Sequence, residues 1–426
     1  MNRLGALALV ASLTGLALIA PSAGQTPTPT PVAVNAPSQV EQGRYLVALG
    51  DCESCHDRPG GQRLAGGLPL NTPFGVIYSA NITPDRDTGI GGWSEADFYR
   101  AMHEGKDDQN AHLYPAFPYP YFTRMSRADV DAMRAYLMTQ PAASYRPPTN
   151  RLPFPLSIRG LVGFWNWLYF KPGDFQPTPG QSAQWNRGAY IVNGPGHCAA
   201  CHTPKSFLGG DQQQRFLQGG VLDNWFAPDL NGDEHGGLAE WTAADIAEFL
   251  KTGRNAHSSA SGAMSDVIVH STSQMTDADL AAVAVYLKSL PAVRPKPEPA
   301  NPEGGAMQAG EAIYVDACAA CHKVDGSGSP HLFPPLRGNS NVQSSDPTTI
   351  DHFILTGTET AATDARPTPF AMPSFAWKLT DREIADVATY IRNSWGNSAP
   401  AVSSGDVAKL RSKVAAHPVR KPTTKA

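Results

Sequence analysis

The pentapeptide pattern Cys-x-x-Cys-His occurs three times in this chain, as Cys52-Glu53-Ser54-Cys55-His56, Cys198-Ala199-Ala200-Cys201-His202 and Cys318-Ala319-Ala320-Cys321-His322. Together the three copies use all six cysteines of the 426 residues, so no thiol is left for a disulfide or a catalytic nucleophile. Two thiols at this spacing, with a histidine directly behind them, form the attachment signature of c-type haem. Each thiol adds to a haem vinyl group, and the imidazole becomes the proximal ligand of the iron. A zinc site would need its ligands clustered, and a redox dithiol needs no adjoining histidine. The pattern therefore assigns three haem c groups, held by Cys52, Cys55, Cys198, Cys201, Cys318 and Cys321, with His56, His202 and His322 on the iron.

The N-terminus agrees with that chemistry. Arg3 precedes an apolar run from Leu4 to Ala20, which Pro21 and the small residues Ser22, Ala23 and Gly24 bring to an end. This reads as a secretory signal peptide over residues 1–24, with an uncleaved membrane anchor as the competing reading because the run approaches bilayer length. Haem is attached to this motif outside the cytoplasmic membrane, so a periplasmic protein is expected. The formal net charge is −4, which gives no basic surplus and argues against a nucleic-acid partner.

Three tandem units follow from a repeated pattern. Each motif is preceded by a short helical segment: Gly43 to Leu46, Gly188 to Ile191, Gly310 to Tyr314. A middle helix follows at Trp93 to Phe98 and Trp241 to Ile246, and more weakly at Asp346 to Leu355, with Ser94 and Thr242 as N-caps. A last helix stands behind Ser126, Thr276 or Thr380 and carries Tyr136, Tyr286 or Tyr390 near its end. This order is the layout of a small cytochrome c domain. The expected organisation is all-α: a disordered tether (25–38), three cytochrome c-type domains (39–150, 182–292 and 305–396), an apolar linker (151–181), a Pro-rich linker (293–304) and a polar, basic tail (397–426).

The Trp-rich centre of the first linker, Ile158 to Phe170, is too short to span a bilayer. A helix packed between domains is the leading expectation for it, ahead of an interfacial membrane contact or a docking surface. The tail shows no long apolar face, so disorder or a weak electrostatic contact is expected there.

A low-spin electron-transfer haem needs a sixth ligand, and methionine there raises the potential. The loops before the last helices of the second and third units hold Met264 and Met372, the expected distal ligands, while Met275 directly precedes a helix cap and reads as a hydrophobic staple. The first unit departs, because Phe117 stands where the methionine should be. Met125, Met102 and His112 remain as candidates, and a five-coordinate iron is a further possibility. The other histidines follow no metal spacing, and no nucleotide loop or nucleophile elbow is present.

Connected stretches of the chain resemble a known family: Trp185 to Tyr190, His197 to Leu208 (HCAACHTPKSFL), Phe226 to Leu230, Phe249 to Asn255 (FLKTGRN), Gly262 to Met264 and Asp279 to Pro291. The chain is similar to the triheme cytochrome c subunits of membrane-associated bacterial dehydrogenases for alcohol, gluconate, sorbitol or fructose, and to the cytochrome subunits of molybdenum hydroxylases. The resemblance implies an electron-transfer subunit with no catalytic residues of its own. It would pass electrons from a flavin, molybdenum or quinone-type catalytic subunit to ubiquinone or a downstream cytochrome or oxidase. It also implies a periplasmic protein at the cytoplasmic membrane, with His56, His202 and His322 proximal and Met264 and Met372 distal. A stand-alone haem enzyme, such as a peroxidase or sulfur-compound oxidase, and a free multihaem shuttle are the competing classes.

Overall fold

The computed structural model describes residues 38–293 and 305–416. The expected signal peptide, the tether up to its last residue and nearly all of the Pro-rich linker lie outside the described residues. Ser38 already belongs to the fold, because its hydroxyl and the Glu41 carboxylate close a capping box on the first helix.

One helix crossing recurs three times, and a glycine makes each of them possible. The opening helices Gln39–Leu49, Ala183–Asn193 and Ala306–Ala317 cross the closing helices Arg127–Leu137, Asp277–Lys288 and Asp381–Arg392. A Cβ placed on Gly43 would lie 1.8 Å from the Ala132 carbonyl oxygen, one on Gly188 2.0 Å from that of Ala282, and one on Gly310 2.2 Å from that of Asp386. Only a residue without Cβ lets the backbones touch there. The Cβ of Tyr136, Tyr286 or Tyr390 packs against the same glycine one turn further on. Ser126, Thr276 and Thr380 cap the closing helices through their hydroxyls.

The middle helices Glu95–Glu104 and Ala243–Thr252 start at capping boxes (Ser94 with Asp97, Thr242 with Asp245) and end at left-handed Gly105 and Gly253. The third, Thr348–Thr356, begins behind Pro347 with no side-chain cap, in keeping with its weaker sequence signal. Strand structure among the described residues is confined to two-stranded ladders. Pro69–Thr72 pairs antiparallel with Gly75–Tyr78, Gln218–Leu222 with Trp225–Asp229, and Thr358–Glu359 with Ala371–Met372.

The first two units share one continuous apolar core that includes Leu46, Val130, Met133, Ile191, Leu280 and Val283. They are joined reciprocally. Tyr45 on the first opening helix donates to Asp279 on the second closing helix, at 2.6 Å, and Tyr190 on the second opening helix donates to Asp129 on the first closing helix. Arg187 and Gln42, each three residues before its tyrosine, bind those same two carboxylates. Equivalent positions therefore answer one another across a local two-fold axis.

The third unit builds a separate core around Tyr314, Ile384, Ala388 and Ile391. It meets the second through Trp225, whose indole stacks on His352 with ring centres 3.8 Å apart, and through Thr349, which bonds both the amide and the carbonyl of Phe226.

The tail departs from expectation, and the first linker meets it on one side only. The tail contains a helix, Ser404–Ala416, whose Val407, Leu410 and Val414 are buried in the third core. Arg411 fastens it to Asp381 and to the Ala376 and Leu379 carbonyls. The apolar positions at 407, 410 and 414 have helical spacing, but only three of them break a polar sequence, so composition hid the face. The first linker forms the expected helix, Leu161–Tyr169, between the first two units, but only one side of it packs. Val162 is buried, Asn166 accepts from Tyr119 at 2.5 Å, and the Trp165 indole donates to the Leu208 carbonyl at 2.9 Å. Its other side faces solvent.

Candidate functional site

Each Cys-x-x-Cys-His motif forms a short helical turn after its opening helix, with the histidine at the turn's C-terminal end. The three imidazoles then repeat one hydrogen bond. His56 Nδ1 lies 2.6 Å from the Ala80 carbonyl oxygen, His202 Nδ1 2.7 Å from that of Pro228, and His322 Nδ1 3.0 Å from that of Pro334. A carbonyl can only accept, so Nδ1 carries the proton in all three rings and Nε2 keeps its lone pair. That is the tautomer and the restraint on ring rotation that an axial iron ligand requires. In the second unit the accepting Pro228 lies on the strand Trp225–Asp229, and in the first unit Ala80 follows the strand Gly75–Tyr78 by two residues. Burial lowers the pKa of all three histidines, which favours the neutral, ligating form.

The cysteine sulfurs stand for the thioether sulfurs of the attached group. Cys52 and Cys198 lie against the shared core and Cys318 against the third one, where an apolar porphyrin belongs. Burial pushes the Cys198 thiol up to about 12 and the Cys318 thiol up to about 11, as expected for sulfur in apolar surroundings. Three motifs, three fixed imidazole tautomers and apolar flanks fit three haems.

Met264 opens the helix Ala263–His270, next to a small apolar cluster of Ala260, Ile268, Val269 and Ala361. Met372 lies on the last ladder, opposite Thr358, and packs on the same core as Cys318. The two loops run back to back across the boundary between the second and third units: Ser261 bridges Thr360, and the Ala361 amide donates to the Ala260 carbonyl at 3.3 Å. Trp225 closes over Gly262, whose φ of 58° and packed Cα face suit glycine alone.

In the first unit the side chains separate by environment. Phe117 joins an aromatic cluster with Tyr119 and Phe122. Met125 and Met102 are fully enclosed in the shared core, and Met125 there takes the position that Met275 takes in the second unit. His112 is half-buried beneath the linker helix, close to Gly163.

Sequence reasoning did not anticipate that the first two motifs face each other. His197, directly before Cys198, points Nε2 at the Gly50 carbonyl, 3.3 Å away, and its ring meets Phe122 edge-on. His270 lies 3.6 Å from Glu53, inside the first motif. Burial raises the enclosed carboxyl of Asp51 to about 7. No signal in the sequence pairs these residues, because the pairing is a property of the two-fold contact. Among the described residues no group of three or more His, Cys, Asp or Glu side chains gathers as a metal site.

Comparison with known proteins agrees with this geometry. The cytochrome c family model matches residues 186–291 and 307–395. Over 410 residues the chain is 42% identical to the cytochrome c subunit of a quinone alcohol dehydrogenase from Gluconacetobacter polyoxogenes, covering 91% of this chain and 87% of the relative. It belongs to the family of dehydrogenase cytochrome c subunits. The gluconate 2-dehydrogenase cytochrome c subunit of Pantoea cypripedii is 41% identical over 395 residues, covering 87% and 89% of the two chains. The fructose dehydrogenase cytochrome subunit of Gluconobacter japonicus is 35% identical over 436 residues, covering 95% and 89%. This cytochrome subunit thus has the helical cytochrome c fold, carries covalently bound haem c, and serves electron transfer rather than catalysis.

Proposed function

We propose that this subunit forms three cytochrome c domains, each with one haem, and relays electrons from a separate dehydrogenase catalytic subunit to ubiquinone or another respiratory acceptor. The observation that carries the reading is the threefold recurrence of a Cys-x-x-Cys-His turn whose histidine Nδ1 is committed to a backbone carbonyl. Bound haem supplies one-electron exchange between ferric and ferrous iron. The chain supplies the rest. His56, His202 and His322 would present Nε2 to the iron, the six cysteines would hold the macrocycles, and Met264 and Met372 would supply the sixth ligand of the second and third haems. Motif-to-motif contact joins the first two units and loop-to-loop contact joins the last two, which supports a relay with the second unit in the middle. The expected signal peptide supports a periplasmic location, at the outer face of the cytoplasmic membrane.

Intact mass of the exported protein tests the haem count, and three haems are expected. Mixing the oxidised protein with its catalytic subunit and the donor substrate should then reduce all three. A mass showing two haems or fewer, or no reduction by any co-purifying dehydrogenase, removes the reading.

A further inference from the structure

The stretch between Arg151 and Lys171 contains no aspartate or glutamate, although the chain as a whole carries more acidic than basic residues. Seven large apolar side chains in it are exposed, among them Phe154 (83%), Phe164 (59%) and Trp167 (77%). They are held outward, because Val162, Trp165 and Asn166 tie the opposite side of the helix Leu161–Tyr169 to both neighbouring units. Phe164 and Trp167 stack on one another with ring centres 5.8 Å apart, and the bond from Trp165 brings the exposed Phe207 and Leu208 alongside.

We infer that this face seats the protein on an anionic lipid surface. Nine residues of helix are about 13 Å long, which cannot cross a bilayer but can lie in its interface. Aromatic and aliphatic side chains on one face with cations at its margins are the composition of an interfacial helix. Here Arg151, whose guanidinium also bonds the Tyr78 hydroxyl, and Lys171 stand at the two ends of the apolar stretch, while Arg159 is paired with Asp107 at 3.1 Å. A protein partner fits less well. An ordinary protein interface forms about one hydrogen bond per 100–200 Å², and between Phe154 and Leu168 the outward side chains offer little beyond Ser157 and the Trp167 indole. The inference deepens the membrane-side location proposed above and rests on it. It adds a consequence: Phe207 lies five residues beyond His202, so the lipid-facing surface borders the second haem motif.

The test uses the processed, haem-loaded protein in flotation with vesicles containing phosphatidylglycerol and with vesicles of phosphatidylcholine alone. The wild type should float with the anionic vesicles and less with the neutral ones. The triple variant Phe164→Ser, Trp167→Ser, Leu168→Ser should bind about tenfold more weakly or worse, with its haem spectrum unchanged. Phe207→Ser should weaken binding less, and Trp377→Ser, an exposed tryptophan on the third unit, should leave it intact. A triple variant that floats like wild type overturns the inference and puts the contact elsewhere. A wild type that does not float overturns it too, and loss of the catalytic subunit from the triple variant would then make the face a protein-docking site. Reduction by the catalytic subunit in solution is measured separately. A protein that floats but is never reduced refutes the relay and leaves the lipid surface standing.

Discussion

The Tyr45 hydroxyl donates to Asp279 at 2.6 Å across the boundary between the first two units, while Arg187 holds the same carboxylate at 2.7 Å. Burial alone would raise the pKa of Asp279, but the Arg187 and Tyr45 hydrogen bonds outweigh it, and the carboxyl stays below its usual range. A carboxylate depressed in this way stabilises the fold above the unfolded value of about 4, and that contribution disappears as pH falls through the lower folded value. Asp279→Asn should therefore melt below wild type near neutral pH, with the difference shrinking in acid below pH ~4. Tyr45→Phe should cost about 1.5–3 kcal/mol, the range for hydrogen bonds to charged groups. Thermal unfolding across pH reads both, and a difference that grows in acid would contradict the assignment.

Gly188→Ala places a methyl 2.0 Å from the Ala282 carbonyl oxygen, where backbone rather than a flexible side chain must yield. The expected loss is about 3 kcal/mol, at the upper end of overpacking penalties. Gly338→Ala serves as a control for glycine replacement as such, since nothing lies within 4 Å of a Cβ there, although its φ of 70° adds some strain. Denaturant unfolding of the two variants should rank them clearly, and equal losses would mean that the crossing has room to spare.

Met264→Ala and Met372→Ala should each abolish one iron–methionine interaction and leave every haem attached, because thioethers and histidine hold the macrocycle independently. The weak far-red absorption band of methionine-ligated ferric haem should diminish in each variant, with haem content by mass constant. An unchanged band in either variant would redirect attention to Met275.

The first haem should differ electronically from the others, because Phe117 occupies the expected ligand position within an aromatic cluster. If His112 ligates, two imidazoles favour ferric iron and the potential falls relative to histidine–methionine ligation. If Met102 or Met125 ligates, the potential resembles the others. We expect a protein ligand, so carbon monoxide should not bind the reduced wild type stoichiometrically. Redox titration and carbon monoxide binding on His112→Ala, Met102→Ala and Met125→Ala separate these cases. Full binding at one haem of the untouched protein would favour the stand-alone enzyme over the relay.

What the sequence disclosed was whatever is written locally. Gly43, Gly188 and Gly310 preceding their motifs, and Tyr136, Tyr286 and Tyr390 on the last helices, mark both partners of each crossing, and the Ser and Thr caps mark where those helices begin. The side of each imidazole that is tied down was not legible, because Ala80, Pro228 and Pro334 act through carbonyls that every residue possesses. The contacts between units were hidden for a related reason. Tyr45 and Asp279 lie 234 positions apart, and each looks like an ordinary surface residue of its own helix. The last helix escaped notice because Val407, Leu410 and Val414 are sparse in a charged stretch, and only the groove beside Ile384 and Ala388 gives them a use.

The stack of Trp225 on His352 leaves little freedom between the second and third units, since His352 Nδ1 also bonds the Asn224 carbonyl at 2.8 Å and Thr349 clasps Phe226 from both sides. Many electron carriers swing a domain between donor and acceptor, and their turnover slows as the medium thickens. Rings already in contact have nowhere to travel. Exchange between these two units would proceed by tunnelling over a fixed gap, indifferent to glycerol or sucrose, and any friction in turnover would arise where electrons enter or leave the chain.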